Sequence, residues 1–146
     1  MEMTELVKLS EKGKCYLTVS ICGNVMLMKW EGLTPEEIFK KGIDKVEELL
    51  FAHKPERCLY DLTTHAVISP SSQKYAADAV SNYVKKEFTV VYHDKIFRQV
   101  FLVPNDIFVT VSAQGYKNKL DGDMETIFTN NITEARQLVE LNSNLN

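Results

Sequence analysis

Long hydrophobic runs are missing from this 146-residue chain, and none approaches the roughly 20 residues a helix needs to cross a bilayer. The opening Met1-Glu2-Met3-Thr4-Glu5 is acidic and lacks the basic region and apolar segment of a signal peptide, so a cytoplasmic location is expected. Cysteine is scarce. Cys15, Cys22 and Cys58 form no CxxC pair, and an odd, scattered set in apolar surroundings fits reduced core thiols rather than a disulfide framework or a zinc site. There is no basic excess either. A net charge of −3, with basic residues interleaved among acidic ones, argues against a nucleic-acid or anionic-membrane binder. Gly-rich phosphate loops, H-E-x-x-H, G-x-S-x-G, internal repeats and linkers are all lacking, so no metal, cofactor or enzymatic activity is expected. What remains, 45% hydrophobic and 25% charged, is the composition of one globular domain spanning 1–146.

The chain divides into strands followed by alternating helices and strands. Residues 15–30 read as a β-hairpin about Gly23-Asn24, in a register pairing Cys22 with Val25, Ile21 with Met26, Val19 with Met28 and Leu17 with Trp30. One side of that ladder is apolar. The other, with Ser20–Leu27 and Thr18–Lys29, is largely polar, which suits a sheet with one wet face. Residues 5–10 add a strand that turns at Lys12-Gly13-Lys14. Thr34-Pro35-Glu36-Glu37 reads as a capping box with proline at the first helical position. Phe39, Ile43, Val46 and Leu50 follow at helical spacing, widened by Ile38 and Leu49, until Pro55 stops the helix.

Cys58 to Leu62 is a short apolar run, expected as a central parallel strand over 57–62. Ser69-Pro70 starts a second helix carrying Ala76, Val80, Tyr83, Val84 and Phe88, with Thr89-Val90-Val91 ambiguous between strand and helix. A strand at 99–103 closes at Pro104. Asn105 or Asp106 caps a third helix to about Tyr116, a last strand runs from Met124 to Thr129, and a last helix from Asn131 to Leu141. The expected fold is α/β: a mixed sheet of five to six strands, an N-terminal antiparallel hairpin, parallel core strands and about four helices.

Trp30-Glu31-Gly32, Thr34-Pro35-Glu36-Glu37, Leu59-Tyr60-Asp61-Leu62, Ile68-Ser69-Pro70-Ser71-Ser72-Gln73, and the closing Phe128 and Ile132-Thr133-Glu134-Ala135 give the chain a familiar series. In these it resembles the SpoIIAA-like proteins, small bacterial domains grouped with the STAS and CRAL-TRIO lipid-binding folds. The resemblance covers residues 15–141 and implies a four-helix α/β domain with one mixed sheet. Anti-sigma-factor antagonists of this superfamily carry an Asp-Ser pair at the start of the second helix, phosphorylated on the serine. That pair falls here on Ser69 and Pro70, and proline has no hydroxyl. Unless Ser69 or Ser71 substitutes, the resemblance implies a module without that switch.

Asp61, His65 and Ser69 stand at four-residue steps, but no nucleophile elbow accompanies the serine. Asp61 is better read as a strand-end residue and Ser69 as a helix cap. His53 suits the C-terminal dipole of the first helix. Asp121, Asp123 and Glu125 around Gly122 fail the spacing of a calcium loop and read as a polar turn. Tyr75, Tyr83, Phe88, Tyr92, Phe97, Phe101 and Phe108 are dense, mostly core, with an excess available to line an apolar cavity.

In an open α/β sheet the carboxyl ends of the parallel strands are where ligands and partners meet the fold. This nominates Asp61, Thr63, Thr64, His65 and Ser69 after one strand and Asn105 and Asp106 after the next, with Ser71 and Tyr75 on the exposed face of helix 69–88. The expected function is a non-enzymatic regulatory or protein-interaction module. The alternative is a binder or carrier of a small, lipid-like apolar ligand. An uncovered antiparallel edge near residues 15–30 would invite pairing with a second copy as a homodimer.

Overall fold

The computed structural model describes residues 2–65 and 67–141, with His65 described by its backbone alone. Six strands form one sheet in chain order: β1 (Thr4–Glu11), β2 (Lys14–Cys22), β3 (Val25–Gly32), β4 (Arg57–His65), β5 (Phe97–Leu102) and β6 (Met124–Thr129). The first two pairings are antiparallel and the last three parallel. Helix α1 (Glu36–His53) joins β3 to β4, and α2 (Pro70–Tyr83) joins β4 to β5. Helix α3 (Ile107–Asn118) joins β5 to β6, and α4 (Ile132–Leu138) follows. Among the described residues no helix is long and apolar enough to cross a membrane.

The hairpin register is the one its side chains require. Leu17 lies opposite Trp30, Val19 opposite Met28 and Ile21 opposite Met26. Leu17, Val19, Met26, Met28 and Trp30 are all buried, because a one-residue slip would turn this whole row to water. At the first turn Lys12 and Gly13 both take positive φ (53° and 77°), the signature of a two-residue hairpin turn. The edge expected near 15–30 is not free, because β1 covers β2 and β4 covers β3. The exposed antiparallel edge is β1, which carries an exposed Lys8–Glu5 pair and two register irregularities, features that discourage strand addition.

Strand order never reverses, and a right-handed crossover between adjacent parallel strands then puts every connecting helix on the same face. The main core accordingly holds Phe39, Ile43, Val46 and Leu50 of α1, Ala76, Ala77 and Val80 of α2, and Val109, Ala113 and Tyr116 of α3, over Met28, Tyr60 and Phe101 of the sheet. The second face keeps a smaller core, Val25, Leu59, Val100 and Leu102 under Ala135 and Val139, the latter two brought by α4 and its cap.

Several boundaries differ from the sequence reading. The Thr34–Glu37 capping box does not form. Pro35 (φ −57°, ψ 146°) is itself the cap, its carbonyl takes the first helical bond from Phe39 N at 2.9 Å, and Thr34 Oγ1 is left without a partner. Strand β4 continues past 62 to His65, since Glu31 and Gly32 pair with Thr64 and His65 beyond an irregularity in β3. The ambiguous segment after α2 is helical: one π turn (Val84–Phe88) and a final α turn (Thr89–Val91). The π turn adds a residue, so Tyr83, Val84 and Phe88 all face the core while Glu87 reaches out to Lys54 at 3.7 Å. Helix α4 stops at Leu138 rather than 141. Glu140 takes φ 61°, Arg57 Nε donates to Val139 O (2.9 Å), and Arg98 Nη1 donates to Leu138 O (2.8 Å), so two arginines satisfy its terminal carbonyls.

Gly42 marks the closest approach of α1 to the sheet. A Cβ there would stand 2.5 Å from Trp30 Cη2 and 3.1 Å from Leu17 Cδ2. Gly42→Ala should therefore destabilise the protein although alanine favours helix by about 1 kcal/mol over glycine, because overpacking a filled core costs about 1–3 kcal/mol. The measurement is the urea unfolding midpoint. An unchanged or higher midpoint contradicts the packing described.

Candidate functional site

The residues nominated at the carboxyl ends of the strands separate into three groups. The first joins the N-termini of α1 and α2. Ser69 caps α2, accepting from Ser72 N at 3.2 Å, and its Oγ lies 3.3 Å from that of Ser71. The Ser71 hydroxyl donates to the Glu36 carboxylate, and the Tyr75 hydroxyl donates to Asp44. Both side chains face solvent, yet both tie α2 to α1. The Ser71 bond, followed by the charge of Lys40 at 3.7 Å, holds the Glu36 carboxyl below the usual carboxylate range. The Asp44 bond raises the Tyr75 phenol.

The second group is Asp61 and Thr63 on β4. Asp61 Oδ1 accepts from Thr63 N (3.0 Å) and Thr63 Oγ1 (2.6 Å), so its carboxylate is held by the local backbone. Asp61 pairs in register with Lys29 and lies on the second sheet face, in a groove floored by Leu27, Leu59 and Leu102. The third group is the β5–α3 turn. Asp106, not Asn105, caps α3, accepting from Phe108 N (2.8 Å) and Val109 N (3.4 Å), while Asn105 Oδ1 accepts from Asn130 Nδ2 (2.8 Å). The side chain of His65, on which any triad with Asp61 and Ser69 depends, lies outside the described residues. Among those residues, no group of three or more His, Cys, Asp or Glu could hold a metal ion. Asp121 pairs instead with Lys85 at 2.8 Å, which lowers its carboxyl.

No switch-point crevice forms between these groups, because that feature needs a reversal of strand order and this sheet has none. In its place the carboxyl end carries exposed apolar side chains that sequence reasoning missed. Leu33 follows β3, Val67 follows β4, and Ile107 and Phe108 open α3, exposed by 70%, 50%, 72% and 69% respectively. Val111 is exposed as well. Two contacts fix the orientation of α3: Ile68 N donates to Ser112 Oγ at 3.5 Å, and a Cβ on Gly115 would run into the Gln73 side chain. Gly115 and Ser112 therefore face the start of α2, and Phe108 and Val111, on the adjoining flank, stay exposed. The signal was present in the helix period. With Val109, Ser112, Ala113 and Tyr116 turned inward, Phe108 and Val111 fall off the buried stripe.

No protein-family model matches the chain, and no curated protein matches it in sequence.

The Ser71–Glu36 bond gives a direct test of this geometry. The bond favours ionised Glu36, so it holds above the carboxyl's midpoint and is lost as pH falls through it. Ser71→Ala should raise the Glu36 midpoint toward the ordinary carboxylate value, and by more than Lys40→Gln does, in a carbon-detected NMR titration. A midpoint unmoved by Ser71→Ala rules the bond out.

Proposed function

We propose that the chain is a non-enzymatic interaction module, of the kind its resemblance to the SpoIIAA-like domains implies, whose docking surface is the carboxyl end of the parallel sheet. The observation that carries this is the exposed apolar set Leu33, Val67, Phe108 and Val111, brought to one end of the molecule from three successive connections. Scattered single apolar side chains are ordinary on a protein surface, but several converging from separate loops mark an interaction site. The rim is mainly acidic: Glu36 and Glu37 open α1 and Asp106 caps α3, while of the nearby cations Lys40 is paired to Glu36 and Lys14 lies beside Gly32. That charge selects the partner. An amphipathic segment with a Leu/Ile face and flanking lysines or arginines complements both features, whereas an anionic membrane surface would be repelled.

Carriage of a lipid-like ligand is less favoured. The void among the core helices amounts to about 40 Å³, far below the volume of an acyl chain. The densest aromatics, Tyr83, Phe88 and Phe97, pack against one another in edge-to-face contacts.

Two synthetic amphipathic helices with the same apolar face, one flanked by lysines and the other by glutamates, provide the test. The lysine-flanked peptide should shift the NMR signals of Leu33, Val67, Phe108 and Val111 and bind at least about tenfold tighter than its glutamate counterpart. Phe108→Asp should abolish the shifts. Equal binding of the two peptides, shifts mapping elsewhere, binding to anionic vesicles in their place, or a Phe108-dependent dimer would each overturn the assignment.

A further inference from the structure

The two edge strands of the sheet are built differently. Strand β1 meets β2 through two register irregularities and carries the exposed Lys8–Glu5 pair, both of which keep another strand away. Strand β6 has neither. Met124 to Thr129 runs beside β5 in unbroken register, without proline or lysine, and its single charge, Glu125, is paired to Arg98. Thr126, Ile127, Phe128 and Thr129 are all residues that favour strands.

The direction of each backbone group along this edge follows from one bond. Thr129 O accepts from Val103 N at 2.9 Å, so the backbone groups of Thr129 face β5. Successive residues of a strand alternate, so those of Ile127 and Glu125 also face β5, and the N–H and C=O groups of Met124, Thr126 and Phe128 point away from the sheet. Among the described residues no strand lies beyond them, and none of the backbone bonds made by turns, loops and caps reaches them. The side chains of these three residues turn to the helix face. Phe128 packs on Phe101 with centroids 5.4 Å apart, Thr126 Oγ1 accepts from Gln99 Nε2 at 3.0 Å, and Met124 rests on the main core. All three are half-buried, so the helices do not roof the edge over.

We propose that β6 is a homodimer interface, at which β6 of a second copy adds antiparallel across a twofold axis through Thr126. The axis position follows from the outward groups. Centred on Thr126, Met124 of each copy meets Phe128 of the other and Thr126 meets itself, which engages all three outward residues in about six backbone bonds. Moving the axis to Glu125 or Ile127 leaves Phe128 or Met124 with no strand residue opposite. The side chains agree with this register, since it sets a methionine sulfur against an aromatic ring. So do the charges. Lys117 stands 5.8 Å over the Phe128 ring, and Asp123 directly precedes Met124. Pairing Phe128 with Met124 therefore brings Lys117 of each copy toward Asp123 of the other. Both side chains are exposed, and neither takes part in the ion pairs within the chain. That complementarity selects a second copy over an unrelated strand. None of Leu33, Val67, Phe108 and Val111 belongs to this edge.

The test combines sedimentation equilibrium of the full chain with amide hydrogen exchange on the same samples. The chain should dimerise, and the amides of Met124, Thr126 and Phe128 should become at least about tenfold more protected as the dimer fills. Lys117→Glu and Asp123→Lys should each weaken the dimer by about 3- to 30-fold, two pairs being lost at once, and the double variant should recover most of the loss. Thr126→Pro removes an N–H that β5 does not use, so it should abolish the dimer while the dispersion of the amide spectrum reports a folded chain. A chain that stays monomeric at millimolar concentration overturns the assignment, as does a dimer in which those three amides exchange freely. A double charge variant no tighter than the single ones, a dimer that survives in folded Thr126→Pro, or one lost in Phe108→Asp would overturn it equally.

Discussion

Four parallel strands laid down in chain order, each joined to the next by a right-handed crossover, constrain almost everything else in this molecule. The handedness leaves no choice of side, so α1, α2 and α3 crowd onto one face and build the main core there. The opposite face is left to one short helix. Helix α4 covers only the β3–β6 part of it, and its C-terminus is fixed by the Arg57 and Arg98 side chains reaching its last carbonyls. Arg57 also pairs with Glu140 at 2.8 Å, so the end of α4 is clamped to the bottom of the sheet by charge as well as by packing.

The crowding sets the demands on α2, which lies between α1 and α3. It meets them with small residues: Ser72, Ala76, Ala77 and Ala79 allow close approach to both neighbours. Hydroxyl groups then fix the spacing. Ser71 and Tyr75 reach carboxylates of α1, the Tyr83 hydroxyl donates to Pro55 O at 2.6 Å, and the Tyr92 hydroxyl donates to Lys54 O at 2.7 Å. The π turn keeps the last of these aromatics in register with the core. The same small side chains leave the void beside Tyr60, because alanine brings helices together without filling the space above an aromatic stack.

Lack of a strand reversal also decides what the carboxyl end of the sheet looks like. Helices on both sides of a reversal would splay and open a cleft between them. Here they stay together, and the carboxyl end presents a surface whose character comes from loop residues and the first turns of helices. Polar residues there, Ser69, Asp61 and Asp106, are occupied with caps and local turns. The apolar ones, Leu33, Val67, Phe108 and Val111, are left facing solvent.

Elements governed by near neighbours in the chain were legible in the sequence. The alternation along 15–30 determined the hairpin register down to Leu17 opposite Trp30, the 3.6-residue stripe determined the buried face of α1, and Ser69-Pro70 determined the start of α2. Long-range decisions were not legible. The extension of β4 to His65 depends on its pairing with Glu31 and Gly32, and the early stop of α4 on arginines at positions 57 and 98. That Ser71 and Tyr75 would bond across to α1, and that Asp61 would turn to the face opposite the helices, depended on strand order and helix packing. The sequence by itself determined which residues form strands and helices and which side of each is apolar, since those follow from periods of two and 3.6 residues. Only the tertiary structure decided which polar groups are consumed in tying helices together and which apolar ones stay exposed, because that is settled by the contacts each element finds across the sheet.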